Sequence, residues 1–384
     1  MSESARAFPV HEKPLPPSLP HALLERARGQ GDALALRQKT RGIWHERTWS
    51  QVAEEVAQLA RGLHERGFAT DDSLLVVSEA RFEPLLLSIA AQSLGGHATL
   101  LDPSSGIERH LAGLDTRCVF VESEAQAALF LRRPAPPIVL ICGDARGMAD
   151  GQQDAVLRYE HLLASHSEVQ TVAPTRPTTA SDTPAFVIAG SDEKRPHTLT
   201  HGALLRGAHE LITREAFTAN DEALAARTFS AAGHLRYLVA PWLLAGFRLN
   251  FPESLLTRDN DRRELGPTVL LGNQASYAAL EQRIRARLPL PGSLADRLFQ
   301  WATRSEPTAW SRHIGNGLIR RPLRDVMGFS RLRSPLLVGE PLPPSTAAFY
   351  RTLGIVPRAC PDHETGHLID EPAAVPVLLT SKTA

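Results

Sequence analysis

The sequence predicts an α/β fold in which mostly parallel sheets are layered between helices. Short apolar runs alternate with longer segments of helical periodicity along the chain. The runs are continuously apolar, which is typical of strands that are buried on both faces. The 384 residues, 43% of them hydrophobic, are enough for one large core or two domains.

The first 70 residues predict a helix, a hairpin and a second helix. A helix starts near Leu19, and residues 33–37 and 42–47 form a hairpin. The segment 51–66 is amphipathic and ends at Gly67. Its apolar side chains recur at spacings of three and four and so share one face: Val52, Val56, Leu59, Ala60 and Leu63.

The next part alternates strands and helices. Strands are predicted at 73–78, 98–102, 118–121 and 137–142. Helices at 82–94 and 123–131 lie between them. This alternation indicates βαβ units and a mostly parallel sheet.

Composition divides the chain into five predicted segments. These are a flexible arm (1–17), a first α/β subdomain (18–142), a linker-like segment rich in polar residues and proline (143–183), a second α/β subdomain (184–370) and a tail (371–384).

Charge and cysteine content exclude several classes of protein. Basic and acidic residues balance at 42 each, so no nucleic-acid partner is expected. The three cysteines are too dispersed for a disulfide framework. The longest apolar stretch, 84–91, is too short to span a membrane, and the N-terminus lacks the apolar core of a signal peptide. We therefore expect a cytoplasmic protein.

A turn-rich loop follows the apolar run 186–188. It contains Gly190, Ser191 and Lys194, and a helix is predicted to begin after Thr200. Loop N–H groups and a helix N-terminus both favour an anion, so this arrangement is typical of a phosphate site.

Residues 186–201, FVIAGSDEKRPHTLTH, resemble the phosphate loop of the AMP-forming acyl-CoA synthetases, T-S-G-[ST]-T-G-x-P-K-G followed by L-T-H. The apolar run before the loop and the L-T-H after it are retained. Within the loop, Asp192 and Glu193 stand where the family has hydroxyl residues. Two like charges 4 Å apart repel by about 4 kcal/mol at an effective dielectric of 20. Unless Lys194, Arg195 or a metal offsets this repulsion, these carboxylates work against a triphosphate.

The resemblance extends along the chain and is strongest to the bacterial long-chain fatty acyl-CoA synthetases. Residues 230–246 resemble the gate-and-pocket segment, and 267–272 resemble the P-T-V-x-x-G strand. The resemblance implies that His234 is the catalytic gating histidine and that Gly339 and Thr200 contact the nucleotide. The alternatives are a structural histidine, a turn glycine and a helix N-cap.

Residues 360–365, CPDHET, stand where the family has Y-G-x-T-E. Glu364 coincides with the glutamate that holds catalytic Mg²⁺, which makes it a candidate catalytic residue and metal ligand. The resemblance assigns His363 and Thr365 to phosphate binding. Cys360 replaces the tyrosine that covers adenine. The alternative for Glu364 is an ordinary loop carboxylate.

Residues 363–367 also spell H-E-x-x-H, the pattern of zinc proteases. Gly366 costs about 1 kcal/mol inside a helix, and no well-spaced third ligand follows. A zinc hydrolase is therefore the weakest of the alternatives.

The resemblance implies a ligase that converts ATP and a fatty acid to an acyl-adenylate and then, with CoA, to a thioester. Its cofactors would be ATP and Mg²⁺, with CoA as co-substrate. The family's C-terminal domain, which carries a catalytic lysine, is expected to be absent. The sequence thus predicts a degenerate relative with weak or no ligase activity, without cofactors, that binds an acyl group or a protein partner. The alternative is an active ligase completed by a C-terminal domain on another chain.

Overall fold

Two seven-stranded sheets form the framework of the protein. The structure, a computed structural model, describes residues 14–111, 114–115, 117–144, 155–164, 179–189, 196–231, 233–286 and 321–360.

The strands, numbered in chain order, are β1 (Leu34–Thr40), β2 (Ile43–Thr48), β3 (Ser73–Val77), β4 (His97–Leu101), β5 (Cys118–Ser123), β6 (Val139–Asp144), β7 (Leu157–Arg158), β8 (Pro184–Ile188), β9 (His197–Thr200), β10 (Glu222–Leu224), β11 (Arg248–Phe251), β12 (Val269–Gly272), β13 (Ser334–Val338) and β14 (Arg358–Cys360).

The helices are α1 (Leu19–Gln30), α2 (Trp49–Glu65), α3 (Phe82–Ser93), α4 (Ile107–His110), α5 (Glu124–Leu131), α6 (Tyr159–Ala164), α7 (His201–Glu215), a π-helix (Leu235–Val239), α8 (Ala240–Ala245), α9 (Arg258–Leu265), α10 (Gln274–Arg285), α11 (Arg321–Val326) and α12 (Pro344–Thr352).

Most neighbouring strands are parallel, as predicted. One sheet has the order β7-β6-β5-β3-β4-β8-β9, and the other has β14-β13-β12-β10-β11-β1-β2. The antiparallel pairs are β1 with β2 and β8 with β9, which close the ends of the two sheets. The predicted hairpin and the predicted elements between residues 19 and 142 are all present, within a few residues of their expected bounds.

The two sheets do not follow the predicted division of the chain into subdomains at 18–142 and 184–370. Strand β1 pairs in parallel with β11, so that Leu36 lies opposite Leu249, and the N-terminal hairpin joins the sheet of the C-terminal strands. Strand β8 in turn joins the sheet of β3 and β4. Local composition did not predict which sheet these strands join, because strand pairing depends on residues that are far apart in the chain.

Part of the segment predicted to be linker-like, 143–183, is ordered secondary structure. Strand β7 pairs with β6, and α6 follows it directly. Tyr159 and Leu162 of α6 are buried in the core, and the Tyr159 hydroxyl donates to Glu55 at 2.8 Å. Burial of these apolar side chains stabilises the segment although most of its residues are polar, because removing apolar surface from water is favourable.

One apolar core is shared by both sheets and by the helices α1, α2, α3, α7 and α8. Trp49 and Trp242 stack in it with ring centroids 4.8 Å apart, and the indole N–H of Trp242 donates to the carbonyl of Ala35 at 2.9 Å. Trp242 is thus a core residue.

Among the described residues no helix is both long enough and apolar enough to cross a bilayer.

A buried ion cluster fastens the N-terminal hairpin to α9. The ammonium of Lys39 donates to Asp261 at 3.0 Å and to Glu264 at 2.6 Å. Asp261 is 1% exposed and also accepts from the Thr257 hydroxyl at 2.8 Å. The buried carboxylate is therefore both paired and hydrogen-bonded, as burial of a charge requires.

Candidate functional site

The predicted phosphate loop begins at the carboxyl end of β8. The amide of Ala189 donates to the carbonyl of Leu100 at 2.9 Å, which places the start of the loop beside the end of β4. Gly190, Ser191 and Lys194 lie outside the described residues. Ligands of open α/β sheets bind outside the carboxyl ends of the strands, so this edge is the candidate site.

A buried polar cluster joins the two sheets at the same edge. Asp102 follows β4, and Thr228 and Ser230 follow β10. The Thr228 hydroxyl lies 3.3 Å from an Asp102 carboxylate oxygen and 3.0 Å from the Ser230 hydroxyl. All three residues are at most 9% exposed. Sequence reasoning missed this cluster, although an acid directly after a buried strand was the available signal.

His234 lies a few residues further along the same segment. It is 1% exposed, and neither ring nitrogen has a hydrogen-bond partner among the residues that the structure describes. Burial, with a smaller contribution from the positive charge of Arg227, lowers the pKa of His234 to about 3. The imidazole is therefore neutral at physiological pH, with one N–H donor and one acceptor nitrogen.

Two local features fix the position of this histidine. Gly233 has a φ of +84°, and a β-carbon there would lie 2.8 Å from a methyl group of Val338. Only glycine fits so close to the end of β13. The π-helix that follows His234 is an element that frequently occurs at functional sites.

Gly339 lies at the same edge, directly after β13. It has a φ of +81°, and the space around a β-carbon at this position is open. The turn alone therefore explains the glycine, and contact with a nucleotide stays a prediction.

Strand β14 brings the last predicted segment to this edge. Val338 and Cys360 are paired at the ends of β13 and β14, so Cys360 lies beside the turn at Gly339. His363, Glu364 and Thr365 themselves lie outside the described residues. Cys360 is 1% exposed with its sulfur 3.3 Å from the Arg214 guanidinium, and burial raises the pKa of the thiol.

Thr200 serves as the N-cap of α7, which was one of its two predicted roles. Its hydroxyl accepts from the amide of Ala203 at 3.3 Å. The neighbouring His201 is fully buried, and its Nδ1 accepts from the amide of Leu19 at 3.2 Å. Burial lowers the pKa of His201 to about 4, so it is a neutral structural residue.

The structure thus brings the start of the phosphate loop, His234, Gly339 and Cys360 to one edge. Thr200 is not at this edge, because it pairs opposite Pro184 at the amino end of β8. The described residues at the carboxyl edge offer a carboxylate, two hydroxyls and a neutral imidazole, which can position a polar ligand by hydrogen bonds. Within the described part of the chain no group of three or more His, Cys, Asp or Glu side chains is placed to hold a metal. The H-E-x-x-H segment falls outside that part, so zinc binding stays a prediction.

Paired sheets with polar segments converging at their carboxyl ends match the large N-terminal domain of adenylate-forming enzymes. The chain belongs to the AMP-binding enzyme family, whose sequence pattern covers residues 23–360. This confirms the family resemblance seen in the motifs. No curated protein sequence matches the chain.

Solved structures share the fold at low sequence identity. The adenylation and carrier didomain of a carboxylic acid reductase from Segniliparus rugosus, in complex with AMP, has a TM-score of 0.70 and 16% identity over 91% of this chain and 52% of that one. The adenylation domain of a carboxylate reductase from Mycobacterium chelonae has a TM-score of 0.69 and 17% identity over 92% and 58%.

A fatty acyl-adenylate ligase from L. pneumophila, in complex with acyl adenylate and pyrophosphate, is also similar. Its TM-score is 0.57 and its identity 12%, over 88% of this chain and 52% of that one. The chain therefore spans little more than half the length of each of these three proteins.

Proposed function

We propose that the protein binds an acyl or other carboxylate ligand beside His234 and forms adenylates weakly or not at all. The observation that carries the proposal is the buried imidazole whose two nitrogens have no hydrogen-bond partner among the described residues. A buried polar group without a partner costs about 1–3 kcal/mol, and a ligand carboxylate can accept a hydrogen bond from the neutral ring. The Segniliparus adenylation domain holds a co-purified carboxylic acid, which supports this ligand class.

The groups that would hold ATP are altered. Asp192 and Glu193 add negative charge in the phosphate loop, and the buried Cys360 offers no ring to cover adenine. An aromatic face contributes about 0.5–1.5 kcal/mol when it stacks, beyond the area it buries. Where ATP and Mg²⁺ bind, Glu364 would hold the metal, and His363 and Thr365 would approach the phosphates.

The second candidate is an active long-chain fatty acid–CoA ligase whose site a lysine-bearing domain completes. Glu364 and Thr365 are retained in this sequence, which favours it. In this case ATP and Mg²⁺ are cofactors and CoA is the co-substrate.

For either candidate we infer a cytoplasmic location, because Cys118, Cys142 and Cys360 are free thiols and all three are buried.

Calorimetry tests ligand binding without nucleotide. Dodecanoate is titrated into the wild-type protein and into His234→Leu, with His209→Leu on the exposed face of α7 as the control. We expect binding by the wild type and the control, and a loss of at least about tenfold in the variant, or about 1.4 kcal/mol. Equal binding by His234→Leu, or none by the wild type, contradicts the proposal.

Pyrophosphate exchange with ATP, Mg²⁺ and dodecanoate tests adenylation. We expect little exchange by the wild type and a gain in Asp192→Thr/Glu193→Thr, because that variant removes the repelling carboxylates. Asp182→Thr/Glu210→Gln removes the same charge from exposed positions and should change nothing. Exchange by the wild type at the rate of the L. pneumophila ligase, measured alongside, would contradict weak activity and favour the second candidate.

A further inference from the structure

His234 lies at the end of a short segment between β10 and the π-helix. We name residues 228–231, 233 and 234 the histidine segment. The amide of Ala231 donates to the carbonyl of Thr228 at 3.0 Å, and the amide of His234 donates to the carbonyl of Ala231 at 3.2 Å. Two successive backbone hydrogen bonds therefore link the histidine to Thr228.

Asp102 ties the start of the histidine segment to the other sheet. The Thr228 hydroxyl donates to one oxygen of Asp102 at 3.3 Å. A hydroxyl has a single proton to donate, so the Ser230 hydroxyl, 3.0 Å away, donates to Thr228. The second oxygen of Asp102 accepts from the amide of Ser104 at 2.8 Å and from its hydroxyl at 2.6 Å. The position of Asp102 is therefore set by the backbone directly after β4.

Phe229 ties the same segment to the sheet of β10 and β11. Its ring packs edge-to-face on Phe251 of β11, with the ring centroids 6.1 Å apart, and both rings are buried. Apolar burial is non-directional, whereas a hydrogen bond depends on distance and angle. The bond from Thr228 to Asp102 therefore orients the segment, and the packing of Phe229 holds it down.

The His234 ring depends on this support. Neither of its nitrogens has a hydrogen-bond partner in the described part of the chain. Within that part no hydrogen bond of the ring fixes its direction, so the preceding backbone and the surrounding packing must do so.

We propose that Asp102 is a positioning residue for His234, and that it acts through Thr228 to keep the imidazole at the ligand site. The ligand is that of the proposed function, on which this assignment rests, whereas the position of the ring can be measured without any ligand.

Diethyl pyrocarbonate modifies neutral histidine rings and tests the position of His234 in the ligand-free protein. A buried ring reacts only when its segment opens locally. Thr228→Val removes the hydroxyl and keeps a similar shape, and Asp102→Ala removes the acceptor. We expect either variant to speed the modification of His234, measured by mass spectrometry, about fivefold, the size expected for one lost hydrogen bond. Thr228→Ser keeps the hydroxyl and should restore the wild-type rate.

Two comparisons separate positioning from a general loss of stability. The fully buried His201 is an internal reference, because global destabilisation speeds its modification as well, whereas loss of positioning speeds only that of His234. Thr213→Val removes a hydroxyl on the exposed face of α7 and should leave both rates unchanged. The double variant Asp102→Ala/Thr228→Val should react no faster than the faster single variant, because residues that act through one contact are not additive.

Titration with dodecanoate links the position of the ring to binding. We expect Thr228→Val to weaken dodecanoate about fivefold and Thr213→Val to leave it unchanged. An unchanged His234 rate in both Thr228→Val and Asp102→Ala, or an equal rise at His201, overturns the inference. Dodecanoate affinity that falls in His234→Leu but not in Thr228→Val overturns it as well. Equal binding by His234→Leu contradicts the proposed function alone, because the modification rates involve no ligand.

Discussion

Two buried histidines contribute to the pH response of this protein at the scale of single residues. His201 and His234 are at most 1% exposed, and burial lowers their pKa values to about 4 and about 3. In the unfolded chain both return to an ordinary pKa near 6.5. Between these values the unfolded state binds more protons, so acidification lowers the free energy of unfolding.

We therefore predict that the free energy of unfolding falls as the pH is lowered from 6.5 towards 5. Each buried histidine contributes a slope of up to about 1.4 kcal/mol per pH unit. Urea unfolding at several pH values measures the slope. His234→Leu should reduce it by one such contribution, and replacement of the exposed His64 with leucine should leave the contributions of the buried pair intact. An unchanged slope in His234→Leu would show that this ring does not stay neutral on folding.

His234 shows how much of the candidate site the sequence could predict at the scale of single residues. The family resemblance identified His234, but only the fold shows that both of its nitrogens are buried and lack a hydrogen-bond partner in the described part of the chain. The partnership of Asp102 with Thr228 was not predictable, because the two residues are 126 positions apart and follow strands of different sheets.

At the scale of elements, local signals placed the longer helices of the first half of the chain well. Helix α2 begins with a capping box in which the Thr48 hydroxyl accepts from the amide of Gln51 and the Gln51 side chain accepts from the amide of Thr48. Its apolar face is buried as the spacing predicts. The start of α7 at Thr200 follows from the same kind of signal.

Thr200→Ala separates the two predicted roles of this residue. Loss of the N-cap should lower the free energy of unfolding by about 1 kcal/mol, and Thr200→Ser should restore it. Urea unfolding measures the stability, and titration with a non-hydrolysable ATP analogue measures nucleotide binding in the same variants. A loss of nucleotide affinity without a loss of stability would favour the nucleotide-binding role.

At the scale of the whole molecule, the two sheets share one core around Trp49 and Trp242. Each sheet contains strands from both halves of the chain, so neither half has a complete sheet of its own. We therefore expect the two sheets to unfold together.

Trp242→Ala tests this coupling. It should cost about 3–5 kcal/mol, because it leaves a cavity where the stacked ring lay and removes the hydrogen bond to Ala35. Unfolding followed by far-UV and near-UV circular dichroism should give coincident transitions, shifted together. Trp44→Ala, at a half-buried ring in the hairpin, should cost much less. Two separate transitions would contradict a shared core.

The sequence by itself determined the fold class, the element positions between residues 19 and 142 and the family, because helix caps, periodicity and motifs are local in the chain. Only the tertiary structure decided how the strands are distributed between two sheets, since β1 pairs with β11 across more than 200 residues. It also decided that Asp102, Thr228 and His234 share an edge. These features depend on burial and long-range pairing, which composition and spacing along the chain do not record.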